Sequence, residues 1–204
     1  MSLVSSKFQT KLWRQSQKWW KGGKHNECEK HQIEQTEYIT NGKLHKSKKR
    51  FNRKTLEFKD YSNPLTFSDG FEWTEDLDGV MDLNKKLYFN FKFVCDKGGI
   101  QNRTLRELYI FIETQYEYLS KTNVENICFV NILDGDTCFV YKKHFQYLKN
   151  QYDNDDIFIG DTYEFSKWFK KHFTPMIYSS VSVVSSESSS ESSSESSSAK
   201  SSNK

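Results

Sequence analysis

The second half of the chain carries apolar patterns typical of alternating strands and helices. Lys86–Val94 combines alternation with a continuous apolar run, which predicts a largely buried strand. Thr104–Glu107 reads as a capping box, and apolar residues recur after it at helical spacing, which predicts a helix beginning just after Thr104. Ile127–Leu133 is the most apolar segment and is expected to form a central strand that ends in the turn Asp134-Gly135.

Further elements extend this pattern in both directions. A strand is predicted at Phe71–Thr74, separated from the buried strand by an acidic turn. Beyond the turn at Asp134-Gly135, the pattern predicts a helix at Lys142–Tyr152, a short strand at Ile157–Ile159 and a helix at Thr162–Phe173. The order strand, strand, helix, strand, helix, strand, helix predicts an α/β domain with three layers.

The first sixty residues have weaker patterns. Phe8–Trp20 is aromatic and basic, and predicts a short amphipathic helix stopped by two glycines. Gln32–Thr40 and Lys43–His45 are predicted to pair as a hairpin, because the Asn41-Gly42 between them favours a tight turn. Lys43–Lys54 is the most basic part of the chain, so this region is expected to face a polyanion or solvent.

Composition shifts divide the chain into three parts. Residues 1–66 form a basic region, residues 67–178 the predicted α/β domain, and residues 179–204 a Ser/Glu-rich tail. The tail repeats SSSE and has too few apolar residues to fold, so it is predicted to be disordered. With 204 residues and 35% hydrophobic content, the chain can build one ordinary domain between poorly ordered ends.

The net charge of +3 conceals an asymmetry along the chain. Residues 1–60 hold 15 Lys and Arg against 6 Asp and Glu, whereas residues 61–178 hold 13 against 18. A basic region joined to an acidic domain suits a polyanion as a partner, with the acidic residues reserved for a metal ion. Lysines that only solvate the surface would give the same balance.

The cysteines and the hydropathy pattern favour a soluble intracellular protein. The four cysteines show no paired spacing, and buried reduced thiols explain them most simply. The chain has no apolar run long enough to span a bilayer, and its first ten residues lack the apolar block of a secretory signal, so no membrane partner is expected.

One segment, residues 69–113, brings together residue types that could cleave a phosphodiester. Its acidic turn supplies carboxylates, which can hold Mg²⁺ by hard oxygen ligands. Lys92, at the centre of the buried strand, could stabilise charge on a phosphate under attack. The following helix opens with cationic and amide side chains that could grip phosphates, namely Gln101, Arg103 and Arg106.

These residues resemble the motif of the PD-(D/E)XK superfamily, the fold of restriction endonucleases. Asp78 stands where that motif has its first acid, and Asn90-Phe91-Lys92 stands where it has the triplet (D/E)-x-K. Alternation places Asn90 and Lys92 on one face of their strand. The resemblance implies a restriction-endonuclease-like mixed sheet with flanking helices and a DNA endonuclease that depends on Mg²⁺ or Mn²⁺. It also implies action on duplex DNA, often as a homodimer.

The resemblance assigns a role to each site residue. The predicted metal ligands are Asp78, Asn90 and Glu72, Lys92 is the catalytic cation, and Gln101 supports the site. The predicted phosphate-binding residues are Arg103, Arg106, Lys48, Lys49, Arg50 and Arg53.

The match departs from the superfamily at Asn90, because an amide is a weaker and uncharged metal ligand. Either Glu72, Glu75 or Asp82 supplies the missing charge, or the site binds nucleic acid without cutting it. A third reading is a structural or interaction protein of a virion, in which the Ser-rich tail is functional. The richness in Lys, Asn, Ile, Phe and Tyr fits an AT-rich genome such as that of a large DNA virus, which would place the protein in the host cytoplasm or the virion.

Two weaker constellations have simpler explanations. His25, Cys28 and His31 have spacing that could meet Zn²⁺, but a fourth ligand is not nearby and exposed polar residues explain them better. The acids at the ends of two predicted strands could form a second acidic site, although turn formation and helix capping account for them; they are Asp134, Asp136 and Asp161.

Overall fold

A computed structural model describes residues 10–18, 27–60, 72–95, 98–122 and 124–173 of the chain. The chain divides into two units, Met1–Phe169 and Lys170–Lys204, and only residues 170–173 of the second unit are described; these four are helical. The predicted Ser-rich tail, residues 179–204, lies outside the described residues. All the architecture below belongs to the first unit.

The first unit contains six strands and six helices within its described residues. The strands are β1 (Lys49–Phe51), β2 (Phe58–Asp60), β3 (Gly79–Asp82), β4 (Lys86–Phe93), β5 (Ile127–Asp134) and β6 (Ile157–Gly160). The helices are α1 (Thr10–Ser16), α2 (Glu27–Thr40), α3 (Gly99–Lys121), α4 (Asp136–Val140), α5 (Lys142–Tyr152) and α6 (162–169). This is a mixed α/β fold, as the sequence predicts.

The main sheet has four strands in the order β3-β4-β5-β6. Strand β3 is antiparallel to β4, whereas β4, β5 and β6 are parallel. The predictions of a buried strand at Lys86–Val94 and a central strand at Ile127–Leu133 are confirmed, since β4 and β5 are the two inner strands. Parallel neighbours need long connections, and α3 joins β4 to β5 while α4 and α5 join β5 to β6.

Helices cover both faces of the sheet. On one face, Phe89 of β4 packs against Phe165 of α6 with 5.9 Å between ring centroids. On the other face, Gln115 of α3 donates to Asn131 of β5, and the β1–β2 hairpin packs Phe51 against Phe129 at 5.3 Å. The core is therefore built largely of aromatic rings, and polar amides also lie inside it.

The predicted hairpin at residues 32–45 is wrong, because Glu27–Thr40 forms helix α2. The face of α2 that is buried is mostly polar, so the apolar spacing that marks a helix is missing; its residues are Cys28, Gln32, Gln35, Thr36 and Thr40. Asn41 takes a left-handed conformation with φ of 50° directly after the helix. The Asn-Gly pair therefore ends a helix here, because helices commonly end with a Gly or Asn in the left-handed conformation.

Two other predictions shift in detail. Trp73 forms only an isolated bridge with Asn52, so its segment is not a strand in the described residues, and Phe71 lies outside them. Helix α3 begins at Gly99, five residues before Thr104. The Thr104 hydroxyl donates to the carbonyl of Ile100 at 3.1 Å, so it bonds within the helix and does not cap it.

The turn predicted at Asp134-Gly135 is confirmed, and it requires glycine. Gly135 has φ of 109°, and a Cβ added there would lie 2.1 Å from the carbonyl oxygen of Val94. The end of β5 can approach the chain that leaves β4 only because position 135 has no side chain.

The cysteines match the sequence prediction, since Cys28, Cys95, Cys128 and Cys138 are all free and buried. Within the described residues, no helix combines the length and apolar character that a membrane span requires.

Candidate nucleic-acid cleavage site

Asp78 and Lys92 lie together at the open end of the β3–β4 hairpin, where β3 begins and β4 ends. The backbone N–H of Asp78 donates to the carbonyl of Phe89 at 2.8 Å. One step along β4, the Asp78 carboxylate Oδ2 accepts the N–H of Phe91 at 2.6 Å. The side chain thus takes the next position in the strand ladder, which fixes this carboxylate beside the strand that carries Lys92.

The ammonium of Lys92 is held as a cation. Its Nζ donates to Glu75 Oε2 at 2.9 Å. Burial acts to lower the pKa of Lys92, but the hydrogen bond and charge of Glu75, together with the charges of Asp78 and Glu29, outweigh it and leave the pKa raised. Lys92 is therefore protonated at neutral pH and can act as a positive charge, not as a base.

The environment of Asp78 has the opposite balance. Burial raises the pKa of its carboxyl to about 6, against the lowering effects of the Phe91 N–H and Lys92, and the carboxylates Glu29 and Glu75 raise it further. Three carboxylates are thus close enough to act on one lysine and on one another. Such clustering of like charge around a cation is typical of functional sites.

Two adjoining clefts share Lys92 and Thr104. The first, called here the α2 cleft, lies between α2, β4 and the start of α3; its lining includes Glu29, Gln32, Lys92 and Gln101. The second, called here the Arg53 cleft, lies on the other side of Lys92; its lining includes Arg53, Glu75, Lys92 and Arg103. Lys92, Gln101, Arg53 and Arg103, all predicted from the sequence, line these clefts, whereas Asp78 lies beside Lys92 and lines neither.

Asn90 does not reach this region, although it shares a face of β4 with Lys92. Its side chain is 2% exposed and its Nδ2 donates to Asn131 Oδ1 at 3.1 Å. Asn131 Nδ2 in turn donates to Gln115 Oε1 at 2.8 Å. The Asn90 amide belongs to a buried hydrogen-bond network between β4, β5 and α3. The predicted role of Asn90 as a metal ligand therefore has no support in the geometry.

Glu72 and Asp82 also lie apart from Asp78. Glu72 pairs with Lys54, and Asp82 pairs with Lys86 at 3.5 Å. Of the three carboxylates expected to replace the acid missing at position 90, Glu75 alone contacts Lys92 within the described residues.

The predicted phosphate-binding residues divide into paired and unpaired cations. Lys49 pairs with Asp60 at 3.4 Å, and Arg50 pairs with Asp76. Arg103 pairs with Glu107 at 2.8 Å on the exposed side of α3. Lys48 and Arg106 are exposed and have no carboxylate partner in the described part of the chain, and Arg106 lines a separate groove.

Helix α2 supplies two residues that sequence reasoning missed, Glu29 and Gln32. Gln32 Nε2 lies 3.2 Å from the carbonyl of Lys92, 3.3 Å from that of Ile132 and 2.9 Å from Asp134 Oδ2. This amide ties α2 to β4 and β5 and thereby places Glu29, one turn earlier, in the same cleft as Lys92. The only sequence signal was that Glu29 and Gln32 are three residues apart, which is informative only once the helix is known.

The divalent ion that the resemblance implies can be tested against these donors. Between the described residues, no three His, Cys, Asp or Glu side chains form a group that could hold a metal ion. Mg²⁺ needs less, because it is usually bound by one or two carboxylates together with water and substrate phosphate. Asp78 and the exposed Glu29 are the two carboxylates beside Lys92 that are available to such an ion, since each raises the pKa of Lys92.

The zinc site considered for His25, Cys28 and His31 finds no support, and the exposed position expected for Cys28 instead is wrong, because this thiol is buried. His25 lies outside the described residues, and Cys28 is buried on α2. His31 packs against Trp13 with ring centroids 4.8 Å apart, and burial lowers its pKa. A packed histidine beside an apolar ring is a structural residue.

The second acidic site becomes a buried clamp. Asp134, fully buried, accepts the Thr162 N–H at 3.0 Å and the Thr162 hydroxyl at 2.5 Å, as well as Gln32. Asp161 Oδ1 accepts the N–H of Glu164 at 2.8 Å and so caps α6. The capping explanation for Asp161 is confirmed, and Asp134 joins α2, β5 and α6.

Asp134 gives a prediction about pH. Burial raises its pKa to about 6 despite the hydrogen bonds from Thr162 and Gln32. Between about pH 4 and 6 the Asp134 carboxyl therefore binds more protons in the folded protein than in the unfolded chain. Its contribution to the free energy of unfolding falls as pH rises. Urea unfolding of the wild type and Asp134→Asn should show the wild type gaining on the order of 2 kcal/mol relative to the variant between pH 7 and pH 4.

The exposed Asp155→Asn variant is the control for that comparison. A constant difference between the wild type and Asp134→Asn at every pH would show that Asp134 ionises normally in the folded state.

Comparison with models of known protein families, with curated proteins and with solved structures finds no match for this chain.

Proposed function

We propose that this protein is a metal-dependent DNA endonuclease with a restriction-endonuclease-like fold. The observation that carries the proposal is the convergence of Asp78, Glu29 and Glu75 around the protonated Lys92. Carboxylates beside a fixed cation are what hydrolysis of a phosphodiester requires, because the metal and the anionic transition state have to be held together.

The side chains divide the work of hydrolysis among them. Asp78 and Glu29 would hold Mg²⁺ or Mn²⁺, which supplies an activated water and neutralises phosphate charge when bound. Lys92, already protonated, stabilises the negative oxygens of the phosphate as water adds and the leaving oxygen departs. Glu75 keeps the Lys92 ammonium in place, and Gln101 lines the same cleft, where its amide can hydrogen-bond to water or phosphate.

Cations on either side of Lys92 would hold the DNA strand. Arg53 and Arg103 come from separate elements and line the same cleft as Lys92. The planar guanidinium binds phosphate through two hydrogen bonds, so these residues suit the phosphates that flank the one being cut. The Arg103–Glu107 pair is exposed and therefore weak enough to yield to a phosphate.

A second candidate function is nucleic-acid binding without cleavage. The sequestration of Asn90 favours it, because the position that normally supplies a second acid is committed to the core. This candidate keeps the cations of the Arg53 cleft and needs no metal ion.

Plasmid nicking by the purified full-length protein with Mg²⁺ or Mn²⁺ tests the proposal, with Asp78→Asn as the test variant. We expect metal-dependent nicking by the wild type and a loss of at least about a hundredfold in Asp78→Asn, since a metal ligand is removed. Asp82→Asn, an exposed carboxylate on neighbouring β3, is the matched control and should retain wild-type rates.

Each outcome of this test has a separate meaning. DNA binding that weakens steeply with salt but is not followed by nicking would favour the second candidate. Neither binding nor nicking would contradict both candidates and leave a structural or interaction role. Equal activity of Asp78→Asn and Asp82→Asn would place the metal elsewhere.

A further inference from the structure

An aromatic groove lies on the side of α3 away from Lys92. It runs between the first turns of α3 and the junction of α4 with α5. Its lining is made by Asn102, Leu105, Arg106, Tyr109, Tyr141, His144 and Phe145. None of these residues has a role in the proposed hydrolysis. The sequence predicts that one of them, Arg106, binds phosphate.

The rings of the groove are arranged for stacking. Tyr141 and His144 lie nearly parallel, with centroids 5.7 Å apart and planes 29° apart. Tyr109 meets Phe145 at 6.2 Å on the opposite wall. Tyr141 and Tyr109 are only partly buried and His144 is exposed, so part of each ring is open to solvent.

The polar groups of the groove suit a nucleotide. The hydroxyl of Tyr141 donates to Asn102 Oδ1 at 2.9 Å, which holds the Asn102 amide at the rim. The Arg106 guanidinium is exposed and, within the described residues, has no carboxylate partner, in contrast to Arg103. A cation beside accessible rings is the combination that binds a base together with its phosphate.

The groove and the clefts that contain Lys92 lie on different sides of the same helix, α3. Gln101 lines the α2 cleft and Arg106 lines the groove, and five residues of helix separate them. This spacing corresponds to about 7.5 Å along the axis of α3.

We infer that the groove binds one unstacked base of the DNA strand, outside the cleft where cutting is proposed. The base would lie against Tyr141 and Tyr109, and Arg106 would bind the adjoining phosphate. The inference rests on the proposed function for its ligand, DNA, but not on cleavage.

A cycle of protein and DNA changes tests this inference. Binding to a labelled oligonucleotide duplex is measured by fluorescence anisotropy in EDTA, so that no cleavage occurs. In a series of probes, the base is removed at one position at a time to leave an abasic site. We expect one position at which the abasic probe binds the wild type about tenfold more weakly, because base–aromatic stacking is lost there.

The matching protein change should remove that sensitivity. Tyr141→Leu should bind the intact probe about tenfold more weakly than the wild type and should bind the abasic and intact probes equally. Tyr147→Leu, an exposed tyrosine of α5 outside the groove, is the control and should behave as the wild type. His144→Ala gives a second variant if Tyr141→Leu does not fold, because His144 is exposed.

The outcomes separate this inference from the proposed function. If removal of a base weakened binding equally for the wild type and Tyr141→Leu at every position, the inference that the groove binds a base would be contradicted, even if nicking is observed. A position-specific loss without nicking would support the groove and the binding module. If dAMP competes with the probe at equal concentration, the groove binds free nucleotides and the assignment to DNA falls.

Discussion

Lys92→Ala is expected to lower metal-dependent nicking by at least about a hundredfold. The ammonium is held by Glu75 and stays protonated, so its removal takes away the fixed positive charge that faces the phosphate. The measurement is the single-turnover rate of plasmid nicking at saturating protein. Binding should weaken far less than cleavage, because the other cations of the Arg53 cleft remain.

The comparison variant is Lys86→Ala, at the other end of the same strand. Lys86 makes an exposed pair with Asp82, so its removal changes the charge of the protein equally but leaves the site intact. Equal loss of nicking in both variants would show that net charge, and not the position of Lys92, governs the rate. Loss of binding in step with cleavage in Lys92→Ala would reduce the role of Lys92 to holding DNA.

Asn90→Asp is expected to destabilise the protein by about 3 kcal/mol and not to raise its activity. The change restores the acid of the (D/E)-x-K motif on paper. In the structure, however, it sets a carboxylate against Asn131 Oδ1, which already accepts from Gln115 at 3.2 Å. Asn131 cannot reverse its amide without losing the bonds from its Nδ2 to Gln115 and to the carbonyl of Phe158.

Urea unfolding measures the stability of this variant, and plasmid nicking measures its activity. The control is Asn84→Asp, in the exposed turn between β3 and β4, which should leave the midpoint of unfolding almost unchanged. If Asn90→Asp instead cut DNA faster than the wild type, position 90 would reach the metal, and the site would be closer to the superfamily motif than the geometry indicates.

The sequence predicted the sheet well wherever burial is apolar. Strands β4 and β5 are recognisable in the sequence because apolar side chains occur on both of their faces. The predicted bounds of helix α5 are correct at both ends. The proximity of Asp78 to Lys92 could also be anticipated, because the acidic turn is joined to β4 by a short strand and a tight turn. These features depend on local patterns, which a single sequence records directly.

The sequence failed where polar side chains face the interior. Helix α2 buries glutamine and threonine, so its pattern resembled a loop or hairpin, and Glu29 was lost with it. The motif resemblance assigns Asn90 to the site, and strand alternation gives the face of its side chain but not what covers that face. The cover is Asn131 and Gln115, one of them 41 residues and the other 25 residues along the chain from Asn90. Such long-range amide networks leave no local signature.

The hydrogen bonds of the Gln32 amide attach helix α2 to the sheet. Helix α2 meets the sheet through a polar seam, and that seam has little hydrophobic surface to guide it back once it is separated. The same helix carries Glu29 to the cleft. Helix α2 therefore contributes to both the fold and the proposed site. A gene rearrangement that exchanged the first forty residues would remove the packing of α2 on the sheet and Glu29 together. Relatives of this chain should accordingly retain the amide and the acid, three residues apart, as a single unit.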